Sequence, residues 1–264
     1  MSQLHHRVRS LYRIARSRGV TEALQLSVVN PVVGAWAGAV ADGTVTIDGL
    51  TYAVDGAPIS VFTRGSIVRR RHEQEERSLL ERYLPTEMDV VELGAGIGYL
   101  TALAADRVEG SVVGVEANPQ LLPILERTRA LNDLDYAIEH AAYAPEADAV
   151  DFPLATNYKF SSRYKRSSKT VTVPATSLDA LTRRHDVEEC AVVVDIEGNE
   201  VDLVREELSV LAATCRLLLI EFHGAITGSD AVTATKRRLE TAGFSPVEAR
   251  RNVVLYRNDE STSD

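Results

Sequence analysis

A glycine-rich turn in the first half of the chain has an acid on each side of it. The turn, Glu92-Leu93-Gly94-Ala95-Gly96-Ile97-Gly98, continues a short apolar run that is typical of a buried strand. Glycines allow the backbone to bend sharply and to approach a ligand closely, because they carry no Cβ. Glu116 ends the next apolar run, 22 residues after Gly94, where a carboxylate can accept two hydrogen bonds from a ribose diol. These residues predict a binding site for a ligand that contains a nucleoside.

The glycine spacing distinguishes between two classes of such ligand. The turn follows the pattern E-x-G-x-G-x-G, whereas dinucleotide-binding enzymes carry G-x-G-x-x-G. Glu92 lies in the strand that leads into the turn, where its charge would repel a pyrophosphate. S-adenosylmethionine carries an ammonium, a sulfonium and a ribose diol, and these groups suit both Glu92 and Glu116. We therefore predict S-adenosylmethionine as the cofactor; the alternative is a glycine turn that packs a helix on a sheet and binds no ligand.

Candidate catalytic residues follow two apolar runs in the second half of the chain. Asp195 and Glu197 follow the run 192–194, and His223 follows the run 217–222. The carboxyl ends of parallel strands open onto the same crevice, so we expect these side chains to face the glycine turn. His223 is the first candidate for a general base, because its neutral imidazole is available near pH 7. Asp195 and Glu197 are the next candidates, and each of the three could instead be structural.

The same strand ends could hold a metal ion. Their carboxylates are the hard oxygen ligands that Mg²⁺ prefers, and a bound ion would lower the pKa of an acceptor hydroxyl. We favour a reaction without a metal, and we keep Mg²⁺ at Asp195, Glu221 and His223 as the alternative.

The elements that must position these residues alternate between apolar runs and segments of helical length. Residues 89–118 follow the order strand, turn, helix and strand, which is half of a doubly wound nucleotide-binding unit. The later run 192–194 is apolar throughout, as expected for a central parallel strand that is buried on both faces. A weaker strand over 136–142 ends in Ala141 and Ala142, which we expect beside the adenine. The sequence therefore predicts an α/β fold with a doubly wound, mostly parallel sheet.

The chain before this unit is predicted to form a small accessory region, residues 1–65. Its residues 4–18 form a candidate basic amphipathic helix, with arginines along one side. Such a helix could contact an anionic membrane surface or, as we favour, pack on the main domain. Alternating apolar residues around Asp48-Gly49 predict a hairpin over 44–54.

The main domain is predicted to occupy residues 66–258. It opens with a single helix over 66–84, which precedes the glycine-rich unit and should cover the sheet edge beside the cofactor. The segments 245–248 and 252–257 predict a closing antiparallel hairpin. Residues 259–264 are predicted to be a frayed tail.

A basic segment interrupts the acidic second half of the chain. Residues 157–169 contain five Lys and Arg residues interleaved with aromatics, and no acid occurs between Asp151 and Asp179. Such a segment suits a phosphorylated, uronic or nucleic-acid partner; the alternative is a solvated surface loop. The residues predicted to contact the acceptor are Lys159, Arg163, Lys165 and Arg166.

Charge and composition argue against several classes of protein. Residues 1–82 carry 11 Lys and Arg against 8 Asp and Glu, and the rest of the chain carries 18 against 30. This acidic second half argues against broad nucleic-acid binding. Cys190 and Cys215 lie in apolar surroundings, which predicts buried thiols rather than a disulfide framework or a zinc site. No apolar run is long enough to span a bilayer, so we expect a cytoplasmic protein, which is peripheral at the membrane if residues 4–18 bind there.

Five sequence segments together carry a family resemblance. They are, in chain order, VVELGAGIGYLTALAA, VVGVEANPQLLPILERTRALND, SLDAL, VVVDIEGNEVDLVRE and LLLIEFHG. In this order they resemble the FkbM-like methyltransferases over residues 73–257. The glycine turn is common to many methyltransferases, whereas the D-x-E-G-x-E and E-F-H strand ends are more specific to this family. Glu92 stands where the family usually has Asp, and Asn199 stands where it usually has Ala.

The resemblance implies a class I methyltransferase fold with a seven-stranded sheet. It also implies S-adenosylmethionine-dependent methylation of a hydroxyl on a sugar, a glycolipid or a similar small acceptor. Two alternatives remain: ribose 2′-O-methylation of RNA, and a catalytically inactive module that binds S-adenosylmethionine. By the resemblance, the cofactor site comprises Glu92, Gly94, Ala95, Gly96 and Gly98 around the methionine end, Glu116 at the ribose, and Ala117 and Asn118 beside the adenine.

Overall fold

The computed structural model describes residues 43–56, 59–154 and 169–258, with isolated positions between 32 and 39. Every helix within these residues is too short or too polar to cross a bilayer. Three predictions lie outside the described residues: the helix over 4–18, the acceptor contacts of Lys159, Arg163, Lys165 and Arg166, and the tail 259–264.

Strands and helices alternate through most of the described chain. The first elements are β1 (Thr44–Ile47), β2 (Leu50–Ala53), α1 (Val61–Val68) and α2 (Gln74–Tyr83). The glycine-rich unit and its continuation form β3 (Asp89–Leu93), α3 (Tyr99–Arg107), β4 (Val112–Glu116), α4 (Leu122–Leu131) and β5 (Ala137–His140). Next come β6 (Ala142–Tyr143), β7 (Ala149–Pro153), β8 (Thr170–Thr176), α5 (Leu178–Arg184) and β9 (Cys190–Val194). The chain continues through α6 (Glu200–Glu206), α7 (Leu208–Thr214), β10 (Cys215–Glu221), α8 (Gly224–Thr227), α9 (Ser229–Thr241), β11 (Phe244–Arg250) and β12 (Val253–Asn258).

Seven of these strands form the central sheet, in the order β5-β4-β3-β9-β10-β12-β11. Neighbours from β5 to β10 are parallel, and β12 runs antiparallel to both β10 and β11. The chain adds β4 and β5 on one side of β3, and β9 and β10 on the other, so the strand order reverses beside β3. The predicted α/β fold and mostly parallel sheet are confirmed, as is the closing hairpin, which β11 and β12 form.

The central strands of the sheet are buried on both faces, which explains why they are apolar. Successive side chains of a strand point to opposite faces. In β9, Ala191 and Val193 belong to one buried cluster, whereas Val192 and Val194 belong to another. All five residues of β9 are buried, so polar side chains are excluded until the strand ends.

The single helix predicted over 66–84 is wrong, because α1 and α2 occupy this stretch and residues 69–73 separate them. Arg70 and Glu73 have positive φ angles of 54° and 45°, which a continuous right-handed helix does not contain. Between them His72 is 1% exposed, and its Nε2 lies 3.0 Å from Glu73 Oε1. The break is thus stabilised by the burial of His72, a tertiary contact that helical periodicity does not reveal.

The hairpin predicted over 44–54 is confirmed, and it packs against the end of α4. The side chain of Asn132 accepts a hydrogen bond from Thr51 N at 2.7 Å and donates one to Thr51 O at 2.8 Å. The fully buried ring of Tyr52 lies with its centroid 4.6 Å from that of Tyr99 on α3. The hairpin therefore packs into the same hydrophobic core as the sheet. The boundary predicted after residue 65, between the accessory region and the main domain, falls inside α1.

A smaller sheet, in the order β6-β8-β7, lies at the point where the basic segment leaves and rejoins the described chain. β7 and β8 are antiparallel, and Leu154 N donates to Lys169 O at 2.9 Å. Tyr143 of β6 and Phe152 of β7 line the large cavity described below. This sheet therefore forms one wall of that cavity.

Gly94, at the end of β3, is required by a close contact as well as by its backbone conformation. Its φ is 94°, and a Cβ there would lie 1.9 Å from the carbonyl oxygen of Asp195. At Gly228 the φ is 92°, but nothing lies within 4 Å of an added Cβ.

We expect Gly94→Ala to lower the free energy of unfolding by about 1–3 kcal/mol more than Gly228→Ala. Urea titration of both variants measures the difference; equal losses would show that backbone strain alone governs Gly94.

Candidate active site

A cavity of about 470 Å³ opens at the carboxyl ends of β3, β4, β9 and β10. The glycine turn and the end of β4 form one side, and the residues that follow β9 and β10 form the opposite side. The start of α2 and the small sheet contribute further walls. Doubly wound sheets bind ligands at this position, because the strand order reverses there and leaves a crevice.

The glycine turn is tied to β4 by Glu116, which is 7% exposed. Its Oε2 accepts a hydrogen bond from Gly96 N at 2.7 Å, and its Oε1 accepts one from Asn118 N at 2.6 Å. Burial raises the pKa of Glu116 to about 7, although hydrogen bonds from backbone N–H groups oppose the shift. The side-chain Nδ2 of Asn118 is buried on the cavity wall, with no hydrogen-bond partner among the described residues. A nucleoside fits this wall, since its hydroxyls can donate to Glu116 and its acceptors can bind Asn118.

Most residues predicted to bind the cofactor lie together on this side of the cavity. Ala95 and Gly98 lie behind the turn instead: Ala95 is 4% exposed, and Gly98 precedes α3 with a φ of 78°. These two residues shape the turn and do not line the cavity. The predicted residues that do line it are Gly94, Gly96, Glu116, Ala117, Asn118, Ala141 and Ala142.

Glu92 does not line the cavity, contrary to the expectation that it contacts the methionine end of the cofactor. It is 4% exposed, and its carboxylate accepts a hydrogen bond from the hydroxyl of Thr101 on α3. Burial raises the pKa of Glu92 to about 8, although the hydrogen bond from Thr101 opposes the shift. The physical reason is the alternation along β3, which turns Glu92 into the core beneath α3 while the strand end opens onto the cavity.

The opposite side of the cavity is centred on His223. Its Nδ1 lies 2.7 Å from Glu200 Oε1. Its Nε2 faces carboxylate oxygens of Asp195, Glu221 and Glu197 at 3.6, 3.9 and 4.0 Å. Burial lowers the pKa of His223, but the hydrogen bond and charge of Glu200, with the charges of Glu221 and Glu197, outweigh it and leave the pKa raised. The three predicted catalytic residues are therefore brought together, as expected from their positions at strand ends.

The carboxylates around His223 repel one another. Burial, and then the charges of Glu221 and Glu73, raise the pKa of Asp195 well above its ordinary value. Asp195 Oδ1 has no hydrogen-bond partner within the described chain. On the neighbouring wall, burial and then the charge of Glu73 raise the pKa of Glu76 to about 8. A cavity of this kind suits a cation, because a positive charge would compensate for the concentrated carboxylates.

Sequence reasoning placed a helix over 66–84 beside the cofactor, but it missed the acids that this helix turns toward the cavity and the contact between Glu200 and His223. The Glu200 side chain is fully buried and lies on the far side of the imidazole from the other carboxylates. Glu75 and Glu76 reach the cavity from the first turn of α2. The available signal was the cluster of acids before the glycine turn, but the sequence does not show which of them face inward.

A metal ion could be held on the same side of the cavity. Ligand atoms of Asp195, Glu197 and His223 lie within 4.8 Å of one another. Mg²⁺ prefers oxygen ligands and usually keeps several waters, whereas His223 offers a nitrogen. The arrangement suits proton transfer at His223 better than it suits Mg²⁺, so Mg²⁺ stays the alternative to a reaction without a metal.

The buried acids make the stability of the ligand-free protein depend on pH. Glu92 titrates near 4.5 when exposed and at about 8 when folded, so its stabilising contribution is complete below about pH 4.5 and is lost as the pH rises to about 8. Glu92→Gln cannot ionise and can still accept the hydrogen bond from Thr101. We expect this variant to flatten the fall in the free energy of unfolding across that range. Denaturant titrations measure the curve, with Glu126→Gln at an exposed position of α4 as the control; identical slopes for wild type and Glu92→Gln would contradict the assignment.

Three solved structures illustrate the proteins to which this chain is similar in fold. One is the fibrillarin pre-rRNA processing protein of Methanococcus jannaschii, with 12% identity, 83% of this chain and 84% of that chain covered, and a TM-score of 0.45. Another is M. jannaschii TYW2 in complex with AdoMet, with 15% identity, coverage of 81% and 82%, and a TM-score of 0.43. A third is an rRNA methylase from Streptococcus thermophilus, with 12% identity, coverage of 70% and 94%, and a TM-score of 0.44. Similarity this low carries no information about the acceptor.

The family is shown by the sequence itself. No curated protein matches the chain, but residues 92–246 match the methyltransferase FkbM domain. This match covers more than half of the chain and includes both sides of the cavity, from the glycine turn to His223. The chain therefore belongs to the FkbM methyltransferase family, and it is a methyltransferase whose cofactor is S-adenosylmethionine.

Proposed function

We propose that the enzyme methylates a hydroxyl of a sugar, a glycolipid or a similar small acceptor, with His223 as the general base. The observation that supports this most is the placement of the imidazole. Its Nδ1 is occupied by Glu200 at 2.7 Å, while its Nε2 faces the cavity beside Asp195 at 3.6 Å. An imidazole held in this way is ready to accept a proton at Nε2.

The transfer needs alignment and one proton acceptor. S-adenosylmethionine supplies the methyl group on a positively charged sulfur, which is a good leaving group. With the donor bound, the acceptor oxygen would bond to the methyl carbon as the carbon–sulfur bond broke, and Nε2 of His223 would take the hydroxyl proton. Alignment contributes roughly 7–11 kcal/mol in well-oriented systems, and a positioned base contributes about 10²–10⁴-fold. The cavity walls supply the first effect, and His223 supplies the second.

The charge of the described walls favours a neutral or cationic acceptor. Asp195, Glu197 and Glu221 line the side where the acceptor must meet His223. Arg251 also lines the cavity, but its guanidinium lies 2.9 Å from Glu75 Oε1. Sugar hydroxyls can donate hydrogen bonds to carboxylates, whereas a phosphate or uronate would be repelled. The expectation of an anionic acceptor rested on the basic segment, which lies outside the described residues.

Labelling of extracted acceptors tests the proposal. Purified enzyme is incubated with methyl-labelled S-adenosylmethionine and separate fractions of glycans, glycolipids and RNA. Label in an O-methyl group of a glycan or glycolipid supports the proposal. Label in ribose of RNA would replace it with 2′-O-methylation, and binding of the cofactor without label in any fraction would leave an inactive binding module.

Glu116→Ala tests the cofactor side of the cavity. Loss of the carboxylate removes the acceptor for the ribose diol and frees the turn at Gly96 and Asn118. We expect the affinity for S-adenosylmethionine to fall at least about tenfold, or roughly 1.4 kcal/mol. Calorimetry measures the dissociation constant, and Glu126→Ala, at an exposed position of α4, should leave it unchanged. An unaltered affinity in Glu116→Ala would exclude Glu116 from the cofactor site.

His223→Ala tests the base. We expect kcat on the labelled acceptor to fall about 10²–10⁴-fold with little change in the affinity for S-adenosylmethionine. His185→Ala is the control, because His185 pairs with Glu139 at 2.8 Å outside the cavity. Unchanged turnover in His223→Ala would remove this residue from the mechanism.

Loss of wild-type activity in EDTA, with recovery in Mg²⁺, would support the metal alternative instead.

A further inference from the structure

We propose that Glu200 is a positioning residue that holds His223 in the tautomer with a free Nε2 lone pair toward the acceptor. This inference rests on the proposed function, because it assigns a role to a residue behind the base. It also makes a claim about the imidazole that can be tested without any acceptor.

The contact between the two side chains determines where the imidazole proton lies. Glu200 Oε1 is 2.7 Å from His223 Nδ1, and the Glu200 side chain is 0% exposed, against 15% for His223. A carboxylate accepts hydrogen bonds and has no proton to donate. Nδ1 must therefore carry the hydrogen, and the neutral ring is left with its lone pair on Nε2, the atom that faces the cavity.

The turn after β9 places Glu200 beneath the imidazole. Glu197 and Gly198 have positive φ angles of 51° and 114°, which reverse the chain immediately after the strand end. Gly198 N then donates to Glu200 Oε1 at 2.9 Å, and α6 begins at Glu200 itself. The N–H of Gly198 thus fixes the position of the Glu200 carboxylate. The imidazole of His223 contacts this fixed acceptor through Nδ1.

Glu200 differs from the other acids around His223 in position and exposure. Asp195 and Glu197, after β9, and Glu221, at the end of β10, lie 3.6 to 4.0 Å from Nε2, and their side chains are 22% to 30% exposed. They share the cavity with the acceptor. Glu200 faces the opposite ring nitrogen and is closed off from solvent, so it can orient the ring without occupying acceptor space.

Stability alone is a poor explanation for this buried carboxylate. Glu200 Oε2 has no hydrogen-bond partner among the described residues, and burial of an incompletely bonded carboxylate opposes folding. The negative charge has a clear use in the reaction, because it stabilises the imidazolium that forms when Nε2 takes the proton. The same division of roles, in which a buried acid orients a histidine and a third group reacts, is found in hydrolase triads.

Nuclear magnetic resonance of isotope-labelled histidine in the full-length protein tests the tautomer directly. His223→Ala identifies the His223 signals. We expect the neutral ring of wild type to carry its hydrogen on Nδ1, and we expect Glu200→Gln to lower the pKa of His223, because the variant removes the nearest negative charge. Glu200→Asp keeps the charge and should retain most of the wild-type pKa. Glu206→Gln, at an exposed position of the same helix, should change neither property.

Turnover completes the test, with the glycan or glycolipid fraction that wild type labels as the acceptor. Glu200→Gln should lower kcat at least about tenfold without weakening S-adenosylmethionine binding, and Glu200→Asp should recover part of the loss. A neutral wild-type ring with its hydrogen on Nε2 would overturn the proposal. So would a Glu200→Gln protein with normal kcat and an unchanged His223 pKa, even if it melted at a lower temperature. If wild type labels no fraction, the proposed function fails, while the resonance measurements still decide how Glu200 holds His223.

Discussion

The carboxylate of Glu116 connects the two strand ends on which the cofactor side of the cavity depends. It accepts one hydrogen bond from the tip of the glycine turn and another from the backbone after β4. Without such an acceptor, the buried N–H of Asn118 would be unpaired, at a cost of about 1–3 kcal/mol. The interaction therefore shapes the ligand-free turn, and it holds a buried acid on the cavity wall where we propose that a ribose binds.

Burial also makes the ionisation of several carboxyl groups in and near the ligand-free cavity unfavourable. Glu76, Glu92, Glu116 and Asp195 all have raised pKa values, chiefly because burial removes water from their carboxylates. A positively charged methyl donor in the proposed site would compensate for the acids that line the cavity, so we expect its binding to be coupled to their ionisation. Glu92 contributes differently, because its side chain accepts a hydrogen bond from Thr101 on α3 and does not line the cavity.

The parallel sheet carries the proposed cofactor-binding residues and the proposed catalytic residues on opposite sides of the cavity. The strands on one side of the reversal, β3 and β4, carry the residues that suit a nucleoside. The strands on the other side, β9 and β10, carry His223 and its surrounding acids. Because all these strands end at the same edge of the sheet, residues more than 100 positions apart in the chain, such as Gly94 and His223, face one cavity.

The sequence by itself determined the features that depend on neighbouring residues. Glycine and acid spacing predicted the turn between β3 and α3, continuous apolar runs predicted the parallel strands, and Asp48-Gly49 predicted the hairpin. The tertiary structure decided the features that depend on distant contacts. The helix predicted over 66–84 is interrupted where His72 is buried, and the side chain of Glu92 points into the core. Glu200 contacts His223 although 23 positions separate them. Local periodicity shows that a side chain belongs to a strand end or a helix, but burial and the path of the chain determine which way it points and what it meets.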